Sequence, residues 1–170
     1  MEVWEAIQGR RSIRAFKPDP IPEELLRNLI LRAAIWAPTG GNAQTWRFAV
    51  VTDPDLIRKI KMVSPGLTRT PPVVIAVCQD LDVVKKRGGE LGTAVAFMDT
   101  AMAAQNIMLA AYAGGLGTCA IASFHVGAVR QILRLPAAII PQLLISLGYP
   151  AARAQAPRRD AEVMWFNEHH

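Results

Sequence analysis

Ala37-Pro38-Thr39-Gly40-Gly41-Asn42-Ala43-Gln44-Thr45-Trp46-Arg47-Phe48 decides how this 170-residue chain is read. Proline, two glycines and two amides mark a loop, and the aromatic and β-branched residues after it mark a strand. Gly40 and Gly41 permit positive φ and close backbone approach. Asn42 and Gln44 carry amides that both donate and accept. Such groups suit the edge of a heteroaromatic ring with alternating N and C=O positions. Trp46 and Phe48 are read as anchors of the strand in the core.

Towards the N-terminus, a helix leads into this loop. Pro22 with Glu23 and Glu24 makes a helix start. Leu25, Leu26, Leu29, Ile30, Ala33 and Ala34 follow at helical spacing to Trp36, and Pro38 stops the run. Pro18, Pro20 and Pro22 enforce an extended link before it. Ahead of the link lie Arg10, Arg11, Ser12 and Arg14, behind a short helix over residues 2–9. Arginine stays protonated and presents a planar fork that matches phosphate and carboxylate oxygens. Taken alone, the set reads either as a solvated basic turn or as an anion-binding group.

Towards the C-terminus, Arg47 to Val51 reads as a strand, and Asp53-Pro54 opens a helix to about Val63. Val73 to Cys78 is apolar on both faces, as an interior strand requires. Residues 91–113 are the longest apolar stretch, interrupted by Thr93, Asp99, Thr100, Gln105 and Asn106. Their length reaches that of a membrane span. The polar interruptions and the alanine content point instead to a buried helix of a soluble protein. A helix apolar nearly all round needs cover on every side, so part of it is expected to face a second subunit. Gly114 to Gly117 end that helix. A short strand at 118–121, a helix at 126–133 and an interior strand at 143–149 complete a single domain over 1–150. Residues 151–170 read as an arm lying on something else.

Composition narrows the classes. Hydrophobic residues make up 51% of the chain and aromatics only 6%, so aliphatic side chains build the core. That favours α/β or α+β over an all-β sandwich. The net charge of +5 is dispersed in four separate groups without a nucleic-acid motif, which argues against nucleic acid as a partner. Two cysteines, Cys78 and Cys119, make no disulfide framework, and no metal-ligand spacing occurs. With no charged-then-apolar leader, a cytoplasmic protein is expected. Gly115 to Ala120 matches a loose dinucleotide fingerprint, but it follows a helix and enters a strand, the reverse of what that site needs. It is read as a helix stop. His125 is read as structural, and the pairs Asp53/Asp55 and Asp80/Asp82 as caps.

Two motifs together carry a resemblance. Arg-Arg-Ser-x-Arg-x-Phe at 10–16, followed by Ala-Pro-Thr-Gly-Gly-Asn-x-Gln-x-Trp-x-Phe at 37–48, resembles the short branch of the FMN-dependent nitroreductase family. Gly115 to Cys119 and the arginines of the arm fall in the matching order. The resemblance implies an α+β fold, a central and mostly antiparallel sheet flanked by helices, in an intertwined homodimer with FMN at the interface. It implies that Arg10, Arg11, Ser12 and Arg14 hold the flavin from one subunit, and that Pro38, Thr39, Gly40, Asn42 and, nearby, Gln44 hold it from the other. Ala120, Ile121, Ala122 and Ser123 would face the ring near N5, and Arg158 and Arg159 would reach the phosphate. The implied activity is two-electron transfer from NAD(P)H through the flavin to a nitroaromatic, quinone or similar acceptor, in a ping-pong cycle. A flavin-dependent dehalogenase, a flavin-fragmenting enzyme and a non-catalytic flavin module remain alternatives. Thr45 stands where many members have proline, and Ala122 where several longer members have glutamate. The mid-chain asparagine and lysine of those members have no clear counterpart in the Ser64 to Thr70 loop.

Overall fold

Four antiparallel strands form one sheet in a computed structural model that describes residues 1–87, 92–152, 154, 156–159 and 161. The strands are β1 (Trp46–Val51), β2 (Val73–Asp80), β3 (Gly117–Ile121) and β4 (Ile139–Gly148). Their order across the sheet is β1-β2-β4-β3. Every residue of β2 is buried, because strands flank it on both sides and helices cover both faces. Its side chains alternate accordingly. Val73, Ile75 and Val77 enter one core, and Val74, Ala76 and Cys78 enter the other. Burial pushes the Cys78 thiol up to about 12, which suits a packing residue.

Helices α1 (Val3–Gly9), α2 (Glu23–Leu25), α3 (Arg32–Ile35), α4 (Pro54–Met62), α5 (Leu81–Arg87), α6 (Gly92–Ala113) and α7 (Val126–Ile132) surround the sheet. Leu26, Ile30, Ala34, Ala103, Ala104, Ile107 and Ala111 fill the first core, so the 26–31 turn ahead of α3, α3 itself and α6 cover that face. Ile57, Ile60 and Val129 fill the second, from α4 and α7. The helix expected over 23–36 is continuous but widens into a π-helical stretch, Leu26–Leu31, between α2 and α3.

The apolar helix α6 buries a stripe, Ala96, Thr100, Ala103, Ala104, Ile107 and Ala111, at three- and four-residue spacing. Phe97, Met98 and Met102 stay exposed on its other side. Gly115, at φ 77, ends it, as the glycine-stop reading requires. β4 begins four residues earlier than the sequence suggested. Pro141 reads as a breaker because it lacks an N–H. Here β3 pairs only with Leu144 to Gly148, so at Pro141 the strand has β2 as its single neighbour in the sheet. A register shift between Val77 and Cys78 absorbs the irregularity.

Candidate functional site

The extended segment after α1 lies along the outer edge of β3. Ser12 bridges Thr118 in parallel, and the Ile13 amide donates to the Thr118 carbonyl at 2.8 Å. The link then pairs with the residues just past β4, through Lys17 N–H to the Tyr149 carbonyl at 2.8 Å and Ala151 N–H to the Ala15 carbonyl at 3.0 Å. In extended backbone, neighbouring side chains point to opposite sides, and this divides the arginine set. Arg14 borders a narrow crevice with Phe16, Thr68, Arg69, Cys119 and Ser146. Arg11 borders a different cavity, of about 380 Å³, with Ile13, Tyr112 and Gly117. Its guanidinium turns back to donate to the Arg10 carbonyl at 2.9 Å and to the Gln8 carbonyl. Arg11 therefore closes the C-terminus of α1, where backbone acceptors lack helical partners. Ser12 and Arg14 are exposed and Arg10 half-buried.

Arg69 is a residue the sequence reading missed. Its loop carries no recognisable motif; what places it is tertiary. The Gly66 amide donates to the Ser123 carbonyl at 3.0 Å and His125 N–H to the Val63 carbonyl at 2.8 Å. A Cβ on Gly66 would stand 2.8 Å from the Ile121 side chain, so only glycine allows this approach. The loop is thus laid against residues 120–123. Ala120, Ala122 and Ser123 are exposed there, while the Ile121 side chain is buried in the second core. Neither Arg14 nor Arg69 joins an ion pair among the described residues.

The Pro38 to Gln44 loop is built differently. Gly40–Asn42 make a single 3₁₀ turn, and Gly41, Asn42 and Gln44 have φ of 56°, 54° and 53°. Positive φ is unfavourable for asparagine and more so for glutamine. The loop is tied internally by Asn42 N–H to the Thr39 carbonyl at 2.9 Å, Gln44 N–H to Thr39 Oγ1 at 3.2 Å and Gln44 Nε2 to Asn42 Oδ1 at 3.0 Å. Arg47 donates to the Trp46 carbonyl at 2.8 Å and pairs with Asp80 at 2.8 Å. Pro38, Gly40, Asn42 and Gln44 are exposed and Thr39 half-buried. Trp46 stacks on Phe48 with ring centroids 5.5 Å apart, and both pack on the first core as anchors should.

The two halves do not meet in one chain. Trp46, at the loop end of β1, pairs with Gln79, whereas Thr118, beside Ser12, pairs with Leu147, which pairs with Val73. They stand at opposite edges of the sheet and six residues apart along β2. At about 3.3 Å per residue and about 4.8 Å between strands, that is roughly 20 Å along and roughly 14 Å across. Large apolar side chains are left exposed near the loop, with Trp36 at 82% and Phe97 and Met98 above 50%. Val3, Trp4 and Ile7 of α1 are exposed as well. Arg158 and Arg159 are exposed; residues 153, 155, 160 and 162–170 of the expected arm lie outside the described residues.

The remaining polar candidates cap helices. Asp53 accepts from the amides of Asp55 and Leu56 at the start of α4. Asp80 accepts from those of Asp82 and Val83. His125 Nδ1 accepts from the Ala128 amide at 3.0 Å. Among the described residues no cluster of histidine, cysteine and carboxylates could hold a metal. The chemistry on offer is cation and amide donors around an anionic or heteroaromatic ligand.

Comparison with known proteins identifies the family. The profile of the nitroreductase family matches residues 7–65 and 60–149. The chain belongs to the nitroreductase family. A protein of Methanothermobacter thermautotrophicus, provisionally named an NADH dehydrogenase/NAD(P)H nitroreductase, is 36% identical over 157 residues, covering 89% of this chain and 78% of its own. A solved structure from Bacteroides thetaiotaomicron, under the same provisional name, superposes with a TM-score of 0.84 at 28% identity, covering 96% of each chain. More distantly, an iodotyrosine deiodinase of Haliscomenobacter hydrossis is 24% identical, over 92% of this chain and 82% of its own. The α+β architecture expected from the resemblance is the one observed in this nitroreductase-family chain.

Proposed function

We propose that this protein is an NAD(P)H-dependent oxidoreductase that holds FMN between two copies of the chain. The observation that carries the reading is the separation of the two motif halves, which a single flavin cannot span within one chain. A second copy would bring the Pro38 to Gln44 loop of one subunit to the Arg14 corner of the other. The exposed Trp36, Phe97 and Met98 around that loop would supply the apolar contact area.

The residues present fit the cofactor. Arg14 and Arg69, two cations bordering one crevice, with exposed Ala120, Ala122 and Ser123 on the adjoining segment, match the electron-rich edge of a flavin. Arg10 and Ser12 would hold its phosphate and ribityl oxygens, with Arg158 and Arg159 arriving on the arm. Arg11, committed to the end of α1, would act by shaping the backbone of this segment. Asn42 and Gln44 would read the ring edge from the other subunit, with Pro38, Thr39 and Gly40 closing over it. Bound FMN would supply the redox chemistry, taking hydride from NAD(P)H at N5 and passing the electron pair to a nitroaromatic, quinone or similar acceptor. The protein's part is placement and charge: arginines beside the pyrimidine carbonyls favour negative charge on the ring. The nitroreductase names of the relatives support this activity.

The purified protein is expected to be yellow, with a flavin spectrum that NADH or NADPH bleaches and menadione restores. Protein that stays colourless after FMN addition and does not quench flavin fluorescence ends the proposal. Bound flavin that neither nicotinamide reduces leaves a binding module. A dehalogenase reading has the distant deiodinase relative in its favour; anaerobic loss of iodide from iodotyrosine faster than nitroaromatic reduction would put it first.

A further inference from the structure

Two of the polar residues that interrupt α6 are stakes for the loop. Asn106 Nδ2 donates to the Ala33 carbonyl at 3.1 Å, at the last turn of α3. Asp99 Oδ1 accepts from the Gly40 amide at 3.1 Å. Seven residues apart, they lie two turns apart on one side of the helix. They grip the two ends of the Ala33 to Gly40 segment that delivers the loop. Val95, one turn before Asp99, fills the space a Gly40 side chain would need: an added Cβ would stand 2.2 Å from Val95 Cγ1.

Asp99 is a costly choice for a stake. It is only 3% exposed, and its second oxygen has no partner among the described residues. A buried charge of this kind persists when it does something an apolar residue cannot. Here it offers a charged acceptor to a single backbone amide, a bond stronger than a neutral one. Three of the next four residues, Gly41, Asn42 and Gln44, have positive φ. Such strain persists only where the surroundings over-determine it.

We propose that Asp99 is a positioning residue, which with Asn106 pins the Pro38 to Gln44 loop to the central helix and so presets the half of the cofactor site that this loop supplies. The proposal rests on the flavin reading above for its purpose and on the helix-to-loop bonds for its mechanism. It touches no cofactor atom and acts through Gly40.

The test compares wild type, Asp99→Leu and Asp99→Asn by amide hydrogen exchange of residues 39–45 in flavin-free protein and by FMN titration. Loss of a hydrogen bond to a charged group costs about tenfold or more in the equilibrium it supports. Asp99→Leu is expected to lower Gly40 amide protection and to raise the FMN Kd by about tenfold or more each. Asp99→Asn keeps an acceptor and is expected to restore both to within about threefold. Its Gly40 amide proton should shift upfield, since a neutral carbonyl is the weaker acceptor. That shift is decisive even where Asp99→Leu does not fold. A folded Asp99→Leu with unchanged Gly40 protection overturns the proposal, as does an unmoved Gly40 shift in Asp99→Asn. Lower protection with an unchanged FMN Kd also overturns it. If wild type binds no FMN while Gly40 protection still depends on Asp99, the flavin reading falls and the stake remains.

Discussion

The two corners of the sheet present polar groups by opposite means. At the β3 corner, ordinary extended backbone is zipped to a strand edge, and the groups on offer are long, exposed cations. At the β1 corner, a short loop with three residues at positive φ is bonded to a buried carboxylate, and the groups on offer are short amides. The first corner spends nothing on strain and supplies charge. The second stores strain and supplies shape. Substitutions should therefore act on affinity through electrostatics at one corner and through loop geometry at the other.

The largest effect is expected where charge is removed. With about 1.5–3 kcal/mol for each hydrogen bond to a charged group, Arg14→Ala with Arg69→Ala should weaken FMN binding by about a hundredfold or more. Fluorescence titration at two salt concentrations would also show a shallower salt dependence than wild type. A double variant within threefold of wild type would remove the β3 corner from the site.

Next in size is the effect of mixing. Arg10→Ala and Asn42→Ala damage different corners. If each site borrows one corner from each subunit, random exchange makes half the dimers mixed, each with one intact site. About a quarter of wild-type flavin-binding capacity should return. Equilibrium dialysis of the refolded mixture gives that fraction directly, and no return would mean that each chain builds its site alone.

What could be read from sequence follows the same division. The loop at the β1 corner was legible because its requirements are local: glycine for positive φ at Gly41 and proline for a helix stop. The glycine stop at Gly115 and the caps Asp53 and Asp80 were legible for the same reason. Arg69 was not, because its placement depends on Gly66 lying against Ile121 and Ser123, more than fifty residues away. Period-two alternation in the Arg10 to Arg14 segment would have separated Arg11 from Arg14. That signal was obscured by reading the arginines as one cluster at a helix end. The role of Asp99 was hidden too: sequence showed a charge in an apolar helix, and only tertiary structure shows that Gly40 receives it.

A smaller effect tests the strain itself. Gly41 has open space around its Cα, with nothing within 4 Å of an added Cβ. Gly41→Ala therefore probes backbone conformation without a clash. An L-residue in the left-handed region costs roughly 1–2 kcal/mol. Denaturant melts should show that loss, and the FMN Kd should rise with it if the loop relaxes. Gly40→Ala differs, because the Cβ meets Val95; Val95→Ala should partly rescue it.

The smallest effect separates the cost of the stake from its use. Burial raises the Asp99 carboxyl above its ordinary 3.8, partly offset by the Gly40 bond. The folded state then binds this proton more tightly than the unfolded state does. Its contribution to stability is full below pH 3.8 and is lost as pH rises through the folded value. Arg87 is the only other ionisable side chain bordering the same cavity among the described residues. Asp99→Asn removes the titration but keeps an acceptor for Gly40. Its Tm should exceed that of wild type at pH 7 to 8, and the gap should narrow towards pH 4. A constant gap would assign the difference to packing. A stabilised Asp99→Asn with a slightly weaker FMN Kd would mean that the chain keeps the carboxylate for the grip it gives the loop, at the expense of stability.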